Sequence, residues 1–318
     1  MPGYAVKARL IYNPSAGMRN TREEIYRAID ELHAHGWSVD VAETTQVGDA
    51  MKIAQASAQE KFDALIAVGG DGTLNEVANG LVDSDTALGV LQSGTANMWA
   101  REMGLPLNDL VGAAKRLAEA EIRTIDVGEV RGDTIAPRIF VLWCGIGFDA
   151  AVTRGVEEQR EMKRRLGPLS FIVAGTREAL SFRGTRTKLW AGDKRIRKRV
   201  ILALACNIQM YSAFIRIAPN AQVDDGLFDL IVLKGTGVFA TAWHIIKIVF
   251  GWHLGDPQTD TFRVPTVKIA AKNMPVHVDA EPIGFSPIEI RMRARALKVL
   301  VPRTANASLF GNLSKDEG

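Results

Sequence analysis

A chain of 318 residues, 47% of them hydrophobic and 24% charged, is long enough for two cores and too apolar to be disordered over most of its length. The net charge of +3 is too small to mark a nucleic-acid binder, although a locally basic face fits within it. Cys144 and Cys206 sit inside apolar runs, where a thiol packs as a small hydrophobe, and neither a signal-peptide core nor a run of about 18 apolar residues is visible, so a reducing, cytoplasmic setting is expected.

Taken in chain order, VKARLIYN from Val6 reads as a strand, followed by a polar helix over Thr21–His35, a strand in WSVDVAET and a helix over Gly48–Lys61. The apolar strand FDALIAV then runs straight into GGDGTLNEV, Gly69 to Val77, a glycine turn that opens a helix with Leu74, Val77 and Leu81 on one face. Gly69, Gly70 and Gly72 are free to take positive φ and let a backbone approach a ligand, and the N–H groups that open the helix point at anions, so the turn reads as a phosphate cradle. Asp71 among these glycines would repel phosphate unless a divalent cation lay between them, which implies Mg²⁺. The next strand, ALGVLQSG, ends in a further small-residue turn, GTAN, at Gly94 to Asn97, and the first strand ends in another, NPSAG, at Asn13 to Gly17. Strand and helix alternate in this way to about Asp126, the pattern of a doubly wound α/β nucleotide-binding domain whose ligands sit at the carboxyl ends of its strands.

After Ile125 the pattern changes to long strands: IDVGEV, PRIFVLWCGIGF, RTKLWAG, RVILALACNIQ, GLFDLIVLK, PTVKIAA, MPVHVDAE and IEIRMRARALKVLV. Helical stretches interrupt them at Arg154–Arg183 and Val238–Leu254. The expected fold class is therefore α/β, with the N-terminal doubly wound domain over 1–126 and a C-terminal mostly β, sandwich-like domain over 127–299, the segment 300–318 returning to the first. In the last strand Ile288, Ile290 and Met292 are even-numbered whereas Leu297, Val299 and Val301 are odd, which predicts a bulge or break between them.

The order NPSAG, GGDGTLNEV, GTAN, DDGLFD at Asp224 to Asp229 and VDAE at Val278 to Glu281 resembles the diacylglycerol kinase catalytic family, in particular its soluble bacterial lipid kinases, from about Val6 to Pro302. The resemblance implies ATP and Mg²⁺ as cofactors and a lipid hydroxyl as acceptor. It implies nucleotide contacts from Asn13, Ser15, Gly17, Thr44, Gly69, Gly70, Gly72, Thr73, Asn75 and Thr95, metal contacts from Asp71 and Asp225 with the carbonyls of Gln222 and Leu227, and a general base in Glu281. Asp126 and Asp149 match acids that hold a supporting network, although capping the helix of DAAVTRG is enough to explain Asp149.

Other readings stand beside these. Ser15 and Thr44 precede helical patterns and are equally good caps, and Asp-Asp-Gly before GLFDLIVLK is a good hairpin turn. Asp279 and Glu281, two apart in one strand, would face the same side and need a cation or a proton between them. Met98, where relatives often carry an acid, Ala280 in place of glycine, Leu142 in place of asparagine, and Ser212, Ala213 and Phe214 in place of glycines depart from the family pattern and suggest a tighter acceptor pocket. A lipid acceptor calls for peripheral membrane contact, for which REMKRRLGPLSF (Arg160–Phe171) and GVFATAWHIIKIVFGWH (Gly237–His253) are candidates, the latter with Trp243, Phe250 and Trp252 but made a poor spanning helix by His244 and Lys247. Transfer to a soluble acceptor such as NAD and a nucleotide-binding regulator without catalysis are the alternatives, and both monomer and homodimer fit the chain.

Overall fold

The computed structural model describes residues 6–14, 21–93, 97–158 and 182–311. The chain divides into two compact units, Met1–Asp126 with Ala294–Gly318, and Val127–Arg293.

The first unit runs β1 (Lys7–Tyr12), α1 (Thr21–Ala34), β2 (Ser38–Glu43), α2 (Asp49–Gln59), β3 (Ala64–Gly69), α3 (Asp71–Leu81), β4 (Ala87–Gln92), α4 (Met98–Glu102) and α5 (Leu110–Ala118). Its strands are parallel in the order β2, β1, β3, β4, so the sheet grows to one side of β1 and then to the other. Right-handed crossovers across that reversal put helices on both faces. Accordingly α1 packs with α5 and α2 with α3. The closeness of the second pair needs Gly80, where a Cβ would stand 2.5 Å from the Met51 carbonyl oxygen. Covered on both faces, β3 and β4 read as unbroken apolar runs rather than alternating ones.

The second unit carries the later part of β5 (Glu121–Gly132), then β6 (Ile135–Phe140), β7 (Trp143–Gly147), α6 (Phe148–Glu158), β8 (Thr185–Ala191), β9 (Lys194–Cys206), β10 (Met210–Ser212), β11 (Ile215–Arg216), β12 (Phe228–Lys234), α7 (Gly237–Val249), β13 (Thr259–Val264), β14 (Thr266–Ile269), β15 (Pro275–Val278), β16 (Glu281–Phe285) and the start of β17 (Ile288–Val301). Its pairings are antiparallel and enclose one apolar core that includes Phe140, Ile146, Leu189, Leu230, Val267 and Ile290, the sandwich-like arrangement the alternation predicts. The long β9 serves three neighbours: its buried half from Val200 pairs with β7 and β12, and its exposed basic half pairs with β8.

Two expected strands are each split. PRIFVLWCGIGF breaks between Phe140 and Trp143 because the amides of Val141, Leu142 and Trp143 turn toward the Asp279 carboxylate, at 2.9, 2.9 and 3.1 Å. MPVHVDAE is a hairpin: Val278 pairs with Glu281, and the two residues between, Asp279 (φ 47°) and Ala280 (φ 64°), both take the left-handed conformation of a type I′ turn. In β17 the break falls at Arg295 (φ 51°), whose N–H donates to Asp126 Oδ1 at 2.7 Å. The chain re-enters the first unit there, at Ala294 rather than at 300, and Val299 then lies beside Leu88 of β4. The expected helix over Arg154–Arg183 lies mostly outside the described residues.

Candidate functional site

Each unit holds one constellation of the expected residues. In the first, the parallel sheet sets the ends of its strands in a row: Asn13 follows β1, Thr44 follows β2, Gly69 ends β3 and Gln92 ends β4. The sheet reverses direction between β1 and β3, where a parallel sheet leaves its crevice. Asn13 and the glycine turn flank that crevice. None of Gly69, Gly70 and Gly72 has positive φ, contrary to the expectation from sequence; Gly70 lies at φ −99°. Their use is room. A Cβ on Gly69 would stand 2.6 Å from Thr73 Oγ1, whereas one on Gly72 would meet nothing within 4 Å, so α3 opens with bare backbone at the crevice.

Asp71 is the first residue of α3, and its Oδ1 accepts the Met98 N–H at 2.9 Å. Asn97 completes the tie, its Nδ2 donating to the Gly69 carbonyl at 3.3 Å while its Oδ1 caps α4 through Ala100 N at 2.8 Å. The start of α4 is thus tied to the glycine turn through Asp71 and Asn97. Asn75 is buried, with Oδ1 accepting from Asn79 Nδ2 at 3.1 Å. Thr44 does not cap α2: it is buried, its N–H donates to the Tyr12 carbonyl at 2.9 Å, and the turn before α2 is organised by Asp49, which accepts from Thr45 and Gln46. Those bonds, the Thr45 amide foremost, draw the Asp49 carboxyl down to about 2. Ser15, Gly17 and Thr95 lie outside the described residues.

In the second unit the β15–β16 turn separates the two acids that the sequence placed on one face. Asp279 points back to the amides of the β6–β7 link, whereas Glu281 opens β16 with Oε2 accepting from Arg138 Nη2 at 2.7 Å and a side chain 39% exposed. Neither acid therefore needs the other's proton. Glu281 Oε1 has no hydrogen-bond partner among the described residues and is left for an incoming donor.

Beneath the hairpin, Asp149 of α6 accepts from Tyr211 and from His277 Nε2, so it is a cross-link between α6, β15 and β10 rather than a helix cap. Burial pushes the Asp149 carboxyl up, and His277 with the Tyr211 hydroxyl overcomes that and holds it below its ordinary value. Gly145 is required here, since any Cβ would overlap both His277 and Asp149. Asp225, expected at a metal, accepts the Leu227 N–H at 2.9 Å and pairs with Arg263; this is the turn reading, with Gly226 at φ 77°. Gln222 precedes that turn. Among the described residues no group of three or more His, Cys, Asp or Glu side chains is placed to hold a metal.

Residues 7–130 match the model of the diacylglycerol kinase catalytic domain, and residues 143–301 match that of the YegS C-terminal NAD kinase beta sandwich-like domain. A diacylglycerol kinase of Bacillus subtilis (strain 168) is 30% identical over 300 residues, covering 93% of this chain and 97% of that protein. The chain belongs to the diacylglycerol kinase family. A diacylglycerol kinase of Staphylococcus aureus (strain bovine RF122 / ET3-1) is 27% identical over 316 residues, covering 98% of each. The crystal structure of a diacylglycerol kinase from Bacillus anthracis (strain Sterne) shares the fold, with a TM-score of 0.71 at 23% identity over 94% of this chain and 98% of that one. These relatives support kinase chemistry. The catalytic-domain match takes in the glycine turn and its neighbours, and the C-terminal match takes in Glu281 and its hairpin.

Sequence reasoning missed Arg138, His277 and Tyr211 as members of the site. His277 carried a signal, a lone histidine four residues before Glu281 in an apolar strand; Arg138 carried none.

Proposed function

We propose that this protein transfers the γ-phosphoryl group of ATP to the hydroxyl of a lipid. The observation that supports this most is the bare-backbone start of α3 behind Gly69, with Asp71 as its first residue, in a chain of this family. The α3 N–H groups and Thr73 bind the phosphates, with Asn13 and Thr44 at the neighbouring strand ends on the nucleoside side. Ser15, Gly17 and Thr95 join them by their place in the motifs. A carboxylate beside phosphates fits a divalent cation, so Asp71 would hold Mg²⁺, which supplies charge neutralisation between the phosphates. Asp225 with Gln222 and Leu227 is left out of the catalytic step, because a cation there must first displace Arg263 from the carboxylate.

Glu281 is the general base. Its free oxygen takes the proton of the lipid hydroxyl as that oxygen attacks the γ-phosphorus, the bond to the bridging oxygen breaks, and ADP leaves. Arg138 fixes the other oxygen and with it the direction of the carboxylate. The Asp279 turn and the Asp149–His277 pair hold the hairpin on which the base sits.

The test is incubation with Mg²⁺, labelled ATP and a total lipid extract. A labelled phospholipid is expected, and Glu281→Gln should lower its formation by about 10²- to 10⁴-fold with ATP binding unchanged. Full turnover in that variant would remove Glu281 from the mechanism. A second reading, transfer to a soluble dinucleotide, draws on the NAD kinase-like description of the C-terminal domain; label on NAD and on no lipid would favour it.

A further inference from the structure

Helix α7 is built inside out. Its buried residues are Thr241, His244 and Lys247, each held by a polar bond: Thr241 Oγ1 to the Gly237 carbonyl at 3.1 Å, His244 Nε2 with the Lys234 carbonyl at 2.9 Å, and Lys247 Nζ to Asp256 Oδ2 at 2.5 Å. Its apolar residues and those just after it face outward, with Phe239 91%, Trp243 50%, Val249 55%, Phe250 63% and Trp252 59% exposed. The rings of Phe250 and Trp252 stack with centroids 4.9 Å apart, presenting a joined aromatic surface. A helix that meets water carries the opposite pattern, and buried polar groups are costly even when bonded. This face is shaped for an apolar environment.

The neighbouring hairpin says which one. Across β8 and β9, Arg186 stands opposite Arg199, Lys188 opposite Arg197, and Trp190 opposite Arg195. These alternate with the inward Thr187, Leu189 and Ala191, so the cations share the outer face. Like charges directly opposite each other destabilise a sheet, and none of these five cations is paired with a carboxylate among the described residues; Arg199 turns instead to the Gly184 carbonyl at 3.2 Å. The ladder begins where α7 begins, with Gly235 N–H donating to the Arg199 carbonyl at 3.1 Å and Thr236 Oγ1 to the Arg183 carbonyl at 2.8 Å.

We propose that α7 and the β8–β9 hairpin dock this protein on an anionic phospholipid bilayer. The helix lies in the interface plane with Phe239, Trp243, Phe250 and Trp252 at the acyl boundary, and the cation ladder meets headgroup phosphates. At 13 residues α7 is too short to cross. The choice of a bilayer over an acidic protein rests on the lipid-kinase reading above.

The experiment is co-sedimentation of the full chain with vesicles of phosphatidylcholine alone and of equal parts phosphatidylcholine and phosphatidylglycerol. Binding to the mixed vesicles alone is expected, and F250S/W252S and R195E/R197E should each weaken it by at least about tenfold. The blue shift of tryptophan emission on binding should fade in W243F/W252F. Phosphoryl transfer to lipid dispersed in detergent micelles should stay unchanged in all three variants. Variants that bind vesicles like the wild type would overturn the proposal, as would a wild-type dimer that F250S/W252S dissociates with vesicle binding intact, which would give the face to a second copy. If no lipid is phosphorylated by the wild type while the variants still lose vesicle binding, the kinase reading fails and the docking surface stands.

Discussion

Asp229, the last acid of the DDGLFD motif, illustrates how neighbours set a side chain's charge. Burial pushes its carboxyl up, Arg263 with Nε 3.6 Å away opposes this, Asp225 adds to the rise, and together they set it at about 6. A carboxyl raised in the folded chain holds its proton where the unfolded chain has lost it. Its contribution to stability is therefore complete below about pH 4 and is lost as pH rises through about 6. Asp229→Asn should remove this dependence. In urea melts the variant should gain on the order of 2 kcal/mol relative to the wild type between pH 4 and pH 7; parallel stability curves would mean that Asp229 is ionised in the fold. At the same scale, Ala280 at φ 64° carries a Cβ in a conformation that glycine takes freely, a strain of about 1 kcal/mol.

At the scale of elements, the β15–β16 hairpin depends on a carboxylate whose backbone partners lie far away in sequence. Asp279 accepts three amides from the link between β6 and β7. Asp279→Asn turns an NH₂ group toward those amides and should cost about 2–4 kcal/mol in a urea melt. Lipid phosphorylation should fall with it, since Glu281 opens the following strand; an unchanged melt would show the turn standing without its acid. The sequence could not reveal this hairpin, because VDAE has neither the glycine nor the asparagine that signals positive φ, and the amides concerned are 136–138 residues away. Asp149 belongs to a supporting network as the resemblance implies, but its partner His277 is hidden for the same reason, lying 128 residues on. By contrast β3, the glycine turn and α3 are legible because strand, turn and helix start are all written locally, within Ala64–Leu81. The parity change in β17 was legible too, and Arg295 is where it is made.

At the scale of the whole molecule, the first unit is discontinuous: the chain leaves it after Asp126 and returns at Ala294. What returns is structural. Leu297, Val299, Leu300 and Val301 are buried, and Val299 sits beside Leu88. At about 1.5–3 kcal/mol for each buried side chain, their loss exceeds the margin by which a domain is folded. A chain ending at Arg293 should leave the first unit open to limited proteolysis and unable to bind ATP, whereas a protected, ATP-binding fragment would show that β4 tolerates an empty edge. During synthesis on the ribosome the consequence is one of timing. The β4 edge stays unsatisfied while every residue of the second unit is translated, so a prematurely terminated product has no closed first unit and, on the function proposed above, no seat in which to consume ATP.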